Sequence, residues 1–450
     1  MSVATLEKPV PVVPRGRRAH WLFGVVPELR RGRLEAFSRW AREYGDFVMF
    51  DGHRVGVMLN HPDLVEEMLV LQQPHLHKTP LLSGQRLVFG RGLLVSEGDF
   101  WLRQRRLAQP AFHRARIATY GEYMTDYSQR MLDRWHDGDQ FDAHAAFMEV
   151  TLRIVAKSLF GRDIGQEAKG VGHALRVLLE IFLKRINRPF RIKDSWPLPE
   201  NYRYKAAVAQ LNRIIYGIIA ERRASGEDAG DLLSMLLSAQ DIDGERMTDQ
   251  QVRDEAMTLF LAGHETTANA LSWTAYLLAQ NPEVDAKLAH ELRTVLNGRA
   301  PTVDDLPSLP YTANVITESM RLYPPAWVIG RIAVEPCTIG GQPIEPGTLL
   351  WASQWVVHHD GRWYQDPEQF RPERWTPEFQ RQLPKFAYFP FGGGQRICIG
   401  NNFALMEASL ILATVAQRYR LELVPRQRIE GLPSITLRPK YGIQMVARAR

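Results

Sequence analysis

The chain has 450 residues, 45% of them apolar and 24% charged, with a net charge of +6. That composition suits a globular protein with a large core and excludes a disordered chain. The positive excess is spread out rather than gathered into a stripe interleaved with aromatics, which excludes a nucleic-acid binder and leaves an acidic protein as the expected docking partner.

Only two cysteines, Cys337 and Cys398, are present. Their contexts differ, so no disulfide framework is expected, and a reducing cytoplasm is. No run approaches the ~18 apolar residues of a membrane span, so no transmembrane anchor is expected. Residues 1–18 carry Pro9, Pro11, Pro14 and arginines without a signal-peptide core. They are expected to form a loose tail leading into Trp21-Leu22-Phe23-Gly24. No linker, repeat or low-complexity tract divides the rest, so 19–450 is expected to be one domain.

The runs 47–50 and 55–59 flank Asp51-Gly52, a turn signal, and predict a β-hairpin. From Phe100 into the 240s helical periodicity dominates. Within it, Trp101 and Arg105 share a helix face at i, i+4. The stretch 187–204, rich in Pro, Arg and aromatics, breaks the helices on either side, and 222–231 predicts another loop. Thr248-Asp249-Gln250-Gln251 matches a capping box. It opens a helix that should run to Gln280, where Asn281-Pro282 stops it; at ~1.5 Å per residue that is close to 50 Å. Inside this helix, Ala262-Gly263-His264-Glu265-Thr266-Thr267 embeds polar groups in an apolar segment, and Gly263 and Thr266 can loosen its ladder. Glu318 and Arg321 lie on one face at i, i+3, and Pro372-Glu373-Arg374-Trp375 follows downstream. Cys337 reads as a strand or turn residue. Beyond 342, short strands alternate with Pro/Gly turns. The expected class is mainly α with a minor β part.

Cys398 carries the chemistry. It stands in Phe391-Gly392-Gly393-Gly394-Gln395-Arg396-Ile397-Cys398-Ile399-Gly400, just before the apolar, helix-like run 403–412. A lone cysteine is by itself more often an inert buried residue, but here glycines let backbone and a flat ligand approach closely. A following helix N-terminus favours thiolate over thiol. Such a thiolate is a good axial ligand for haem iron and favours O–O cleavage.

The spacing Phe-x-x-Gly-x-Arg-x-Cys-x-Gly closely resembles the haem-binding signature of the cytochrome P450 family, and three further motifs stand in the family's order. The resemblance implies that family's fold, a long central helix over a haem held by a C-terminal cysteine loop. It implies haem b (iron protoporphyrin IX) with Cys398 as metal ligand. Trp101, Arg105, Arg331 and Arg396 would meet its propionates, and Phe391 and Gly400 would flank the ligand. Glu265 and Thr266 resemble the family's acid–alcohol pair, which delivers protons to activated dioxygen. The small Ala262 and Gly263 would let haem and oxygen approach, and His264 would be structural. Glu318, Arg321 and Arg374 resemble its buried structural network, with Trp375 in place of the usual Phe. By family position Leu94, Leu259, Ala262, Ala326, Val328 and Ile435 would line the substrate pocket; each also suits ordinary core. The stretch 187–204 resembles the mobile lid over the substrate entrance, and also suits a plain surface connection. Arg103 and Arg106 would face outward, on a docking surface or a solvated face.

The function so implied is that of a soluble bacterial monooxygenase. It would insert one oxygen atom from dioxygen into a terpenoid, carotenoid, fatty acid or steroid by hydroxylation or epoxidation. Of these, 321–327 resembles members acting on terpenoids or carotenoids. No flavin or iron–sulfur domain is expected, so electrons would come from a separate ferredoxin or flavodoxin with an NAD(P)H-dependent reductase. Two alternatives stay open. A peroxide-driven peroxygenase or isomerase on the same scaffold would need no electron donor, and the Glu265-Thr266 pair argues against it. A non-catalytic haem sensor would not need that pair at all.

Overall fold

Thr248 caps the helix that organises the larger part of the molecule. In the computed structural model its hydroxyl accepts from the Gln251 N–H at 3.3 Å, and Gln251 Oε1 accepts from the Thr248 N–H at 2.9 Å. Helix Asp249–Gln280 follows and ends at Asn281, ahead of Pro282, as the sequence predicts. The structure describes residues 25–50, 55–79, 86–163, 168–186, 193–226 and 228–450. The tail 1–18, the residues Trp21 to Gly24 and the turn Asp51-Gly52 lie outside them. The described chain is mainly helical with small sheets, and no helix in it is long and apolar enough to cross a membrane.

Two compact units are assembled from alternating stretches of chain. One takes residues up to Pro80, Ala326–Gln369 and Thr376–Cys398; the other takes Leu81–Pro325, Phe370–Trp375 and Ile399–Arg450.

The first unit is built on a five-stranded sheet. Its strands are β1 (Phe47–Phe50), β2 (Gly56–Leu59), β3 (Leu76–Lys78), β4 (Ile329–Ala333) and β5 (Leu349–Ala352), in the order β1-β2-β5-β4-β3. β1 and β2 form the expected antiparallel pair, Phe47 opposite Leu59. Every residue of β2 is buried, which matches its unbroken apolar run. Val57, Leu59, Leu69, Leu350, Phe386 and Phe389 belong to one core cluster. Three side chains hold the main chain just upstream of the glycine turn. Tyr364 donates to the Ala387 carbonyl (3.1 Å), His358 Nε2 accepts from the Phe389 N–H (3.0 Å), and Gln354 donates to the Phe389 carbonyl (3.5 Å).

The helices of the second unit include α1 (Gly98–Ala108), α2 (Ala143–Phe160), α3 (Asp249–Gln280), α4 (Pro310–Leu322) and α5 (Asn401–Arg418). The hairpin β6 (Gly431–Pro433) and β7 (Leu437–Pro439) adjoins α3. Thr151 donates to the His264 carbonyl at 3.0 Å, and His144 Nδ1 lies 3.1 Å from Ser272 Oγ, so α2 and α3 run antiparallel. Two sequence boundaries move. Of the stretch 187–204, residues 187–192 lie outside the described residues, and a helix already begins at Pro199, since Pro is preorganised for a first helical position. That helix runs through Arg222 and Arg223 to Ser225 and stops at Gly226, which takes a left-handed conformation, so the following loop is shorter than expected.

Glu318 on α4 gathers five donors within this unit. Its Oε1 accepts from Arg321 Nη2 (2.9 Å), Arg374 Nε (2.9 Å) and the Arg371 N–H (3.1 Å). Its Oε2 accepts from Arg321 Nε and Trp375 Nε1, both at 2.9 Å. Glu318 and Arg321 are fully buried. The tryptophan therefore supplies a hydrogen bond that a phenylalanine cannot. Trp375→Phe should cost about 1–3 kcal/mol, since it removes one donor from a buried carboxylate. Arg321→Ala should cost about 3–5 kcal/mol, because it leaves buried charge uncompensated. Urea unfolding of both variants measures this, and equal losses would contradict the assignment.

Candidate active site

Three glycines shape the turn that leads to Cys398. Gly394 has φ +64°, and a Cβ there would stand 2.2 Å from the Leu69 carbonyl oxygen, within the π-helical turn Glu67–Leu71. A Cβ on Gly393 would stand 2.3 Å from the Phe386 ring. Side chains at either position would lift the turn off the core. The Cys398 N–H then closes the loop on the Phe391 carbonyl at 3.0 Å. Cys398 is exposed and in no disulfide, whereas Cys337, in strand Cys337–Ile339, is half-buried and its thiol is pushed up by that burial.

The first unit also brings β4 to this loop, because Ile329 Cδ1 lies 3.3 Å from where a Cβ on Gly392 would be. Arg331, buried on β4, donates to the Gly330 carbonyl at 2.9 Å. Phe391 and Arg396 are half-buried in the loop itself. Ala326 and Val328 are half-exposed on either side of the buried Trp327.

The second unit holds Glu265 and Thr266. Along α3, Leu259 and Thr266 are half-exposed and Ala262 is exposed, while Thr258, Phe260, His264, Glu265 and Thr267 are buried. Spacings of three and four put Leu259, Ala262 and Thr266 in one strip of the helix. Thr266 donates to the Ala262 carbonyl at 2.8 Å, and Thr267 to the Gly263 carbonyl at 3.3 Å. Gly263 serves helix packing: its missing Cβ would stand 3.0 Å from Val155 of α2. His264 Nδ1 lies 3.0 Å from the Phe260 carbonyl, and burial lowers its pKa to about 4, so the ring is neutral.

Glu265 is 6% exposed, and burial raises its pKa. Its Oε1 accepts from the Thr436 hydroxyl at 2.8 Å, which acts in the opposite direction together with the charge of Arg438. Ile435, next to Thr436, is half-exposed. Leu94 is half-exposed between the buried Leu93 and Val95. Its segment is fastened to α3 by two carboxylates, Asp254 accepting from the Arg91 N–H (2.8 Å) and Glu255 from the Leu93 N–H (3.0 Å). On α1, Trp101 is buried and Arg105 half-buried. Arg103 is not a solvated cation: it donates to Asp241 at 2.6 Å, while Arg106 is exposed. Gly400 precedes the first residue of α5.

One acid escaped the sequence reading. Glu407, on α5, is fully buried, and neither carboxyl oxygen makes a hydrogen bond among the described residues. Burial raises its pKa to about 8, which the nearby Thr267 hydroxyl offsets only in part. Its signal was a single glutamate in the apolar run of α5.

A family model described as Cytochrome P450 matches residues 14–445. The chain belongs to the cytochrome P450 family. Cyclooctatin synthase of Streptomyces melanosporofaciens is 38% identical over 398 residues, 88% of this chain and 87% of that protein. Cyclooctat-9-en-7-ol 5-monooxygenase of the same organism is 39% identical over 370 residues, 81% of this chain and 80% of the relative. Pentalenene oxygenase of Streptomyces avermitilis is 34% identical over 391 residues, 87% of each.

This P450 is a monooxygenase, an oxidoreductase that works with dioxygen, an organic substrate and redox partners. The family implies haem with thiolate ligation. The residues present fit that group. In the first unit Cys398 offers an exposed, soft sulfur ligand, and Arg331 and Arg396 suit carboxylate groups; in the second unit Arg105 does too, and Leu259 and Ala262 form an apolar strip on α3.

Glu407 makes stability depend on pH. Its pKa in the folded protein, about 8, exceeds the ordinary 4.5, so the folded state holds more protons than the unfolded one between those values. Its contribution is fully present below pH 4.5 and is lost as pH rises through about 8. Glu407→Gln should remove that decline. Thermal midpoints from pH 5 to 9 should show the variant gaining on the wild type as pH rises; parallel profiles would place the carboxyl in water.

Proposed function

We propose that this P450 hydroxylates or epoxidises an apolar, cyclic terpenoid in the cytoplasm, with haem b held by Cys398. The observation that carries the substrate class is the character of the partly uncovered residues. Leu94, Leu259, Ala262, Ala326, Val328 and Ile435 bear no charge and no hydrogen-bonding side chain, and none is fully buried although neighbours such as Leu93, Phe260, Trp327 and Thr436 are. Such a lining selects by shape and apolar area. The relatives named for cyclooctat-9-en-7-ol and pentalenene support cyclic alkenes over linear acids.

When bound, the haem supplies activation of dioxygen and transfer of one oxygen atom to the substrate. Cys398 provides the thiolate ligand. Trp101, Arg105, Arg331 and Arg396 hold the propionates through N–H donors, the arginines adding charge. Phe391 and Gly400 shape the loop on either side of the ligand. Thr266 Oγ1, already donating to the Ala262 carbonyl, accepts and orients incoming protons on the uncovered strip of α3. Glu265 is their internal source, because burial favours its neutral, proton-bearing form. Electrons come from a separate ferredoxin or flavodoxin reduced by an NAD(P)H-dependent enzyme.

Optical titration of the ferric protein with limonene, humulene, β-carotene, palmitic acid and progesterone tests the substrate class. A low-to-high-spin shift with the cyclic terpenes and none with palmitic acid is expected; the reverse order would refute the terpenoid assignment. Thr266→Ala should keep the thiolate–haem spectrum, lower product yield roughly 10- to 100-fold, as removal of a proton-transfer group does, and divert NAD(P)H to peroxide. Product formation that persists undiminished would remove Thr266 from proton delivery.

A further inference from the structure

Three residues of α3 spaced by four, Glu265, Asn269 and Trp273, all bond to the turn between β6 and β7 or to the first residue of β7. Glu265 Oε1 accepts from Thr436 Oγ1 at 2.8 Å, Asn269 Nδ2 donates to the same hydroxyl at 3.2 Å, and Trp273 Nε1 donates to the Leu437 carbonyl at 3.0 Å. A hydroxyl has one proton to give. With Asn269 donating to it, the Thr436 hydroxyl gives that proton to Glu265. The turn is closed by Ser434, whose N–H and hydroxyl both donate to the Thr436 carbonyl, at 3.0 and 2.9 Å. Between these two buried residues Ile435 is half-exposed.

Neighbouring residues of a helix do not share a face. Thr266 lies on the uncovered strip of α3 with Ala262, while the Glu265 carboxyl is buried against the hairpin. To serve the strip, that carboxyl must leave Thr436.

We propose that Thr436 is a positioning residue for proton delivery, whose hydroxyl retains the Glu265 carboxyl until substrate displaces Ile435 and shifts the turn. This rests on the reading of Glu265 and Thr266 as the proton-delivering pair. The coupling has a physical source. A ligand shifts an equilibrium only through contacts that differ between the two states, and Ile435 is one residue from the hydroxyl that must move. Substrate contact and release of the carboxyl are thus joined through a single peptide link. Without substrate the carboxyl stays with Thr436, and reduced enzyme is spared futile protonation.

The test uses full-length haem-loaded protein as wild type, Thr436→Val, Thr436→Ser and Glu265→Gln. Hydrogen–deuterium exchange of 433–437 is measured with and without humulene at concentrations that saturate its spin shift. Exchange in the wild type should rise several-fold on binding. Thr436→Val should exchange fast without ligand, and Thr436→Ser should restore the wild-type pattern. In parallel, peroxide released per NAD(P)H consumed without substrate should rise several-fold in Thr436→Val and return to wild type in Thr436→Ser. If Glu265→Gln lowers the product-to-peroxide ratio while Thr436→Val matches wild type in both measurements, proton delivery by Glu265 stands and the role of Thr436 falls. If Glu265→Gln leaves that ratio unchanged, the proton-delivery reading fails, and this proposal with it. Should Thr436→Val not fold, the wild type decides alone: unchanged exchange of the turn at saturation overturns the proposal.

Discussion

A buried carboxyl group loses its water and needs hydrogen-bond donors in exchange. Glu318 meets that requirement with two guanidiniums, one indole and one backbone N–H. Three of its partners, Arg371, Arg374 and Trp375, come from Phe370–Trp375, a short excursion of chain into the larger unit between two stretches of the smaller one. The next stretch, Thr376–Cys398, ends in the proposed ligand. Glu318 therefore fixes that excursion within the larger unit, while within the smaller one Tyr364, His358 and Gln354 fix the course of the thiol-bearing segment just before the glycine turn. The loop is irregular but tied: side chains hold its main chain upstream, at Ala387 and Phe389, and the Cys398 N–H closes it on the Phe391 carbonyl.

The same requirement shapes α3. A helix this deeply buried would ordinarily be apolar all round, yet it carries Asp254, Glu255 and Glu265. Each is satisfied by a segment that also bears a proposed pocket residue. Asp254 and Glu255 take the N–H groups of Arg91 and Leu93, beside Leu94, and Glu265 takes the hydroxyl of Thr436, beside Ile435. Satisfying a buried acid and placing a pocket wall are thus one interaction, not two. Glu407 is the contrast. Among the described residues neither of its oxygens makes a hydrogen bond, and burial pushes its pKa up to about 8.

Local chemistry was legible in the sequence, and distant partners were not. The capping box at Thr248, the stop before Pro282 and the β1–β2 pairing depend on residues a few positions apart, and the structure reproduces them. So does the Glu318–Arg321 pair at i, i+3. The helix of 199–225 was cut short at both ends, because Pro199 and the basic residues 222–223 read as breakers, whereas a first-turn proline and last-turn cations favour a helix. Gly263 was assigned to the oxygen side on residue size alone; size could not reveal that Val155 packs against it. Arg103 looked solvated because its partner, Asp241, lies 138 positions away. Thr436 lay hidden for the same reason, since nothing in the C-terminal hairpin announces a bond to an acid 171 residues earlier.

An apolar lining discriminates weakly. One methylene more or less changes binding by about 1–3 kcal/mol, and no charge or buried amide among the proposed contacts rejects a wrong substrate outright. Selectivity in such a site has to come from shape, and shape is selective only where the walls are stiff. The residues that stiffen them here are polar and sit one step behind the contacts: Asp254 and Glu255 behind Leu94, Ser434 and Thr436 around Ile435. The apolar side chains can therefore vary in size, changing which molecule fits, while the hydrogen bonds that hold their backbones are kept. Ile435 stands apart from Leu94 in one respect. Its anchor, the Thr436 hydroxyl, is shared with the carboxyl proposed to deliver protons, so a change of fit at this wall also bears on the timing of the chemistry.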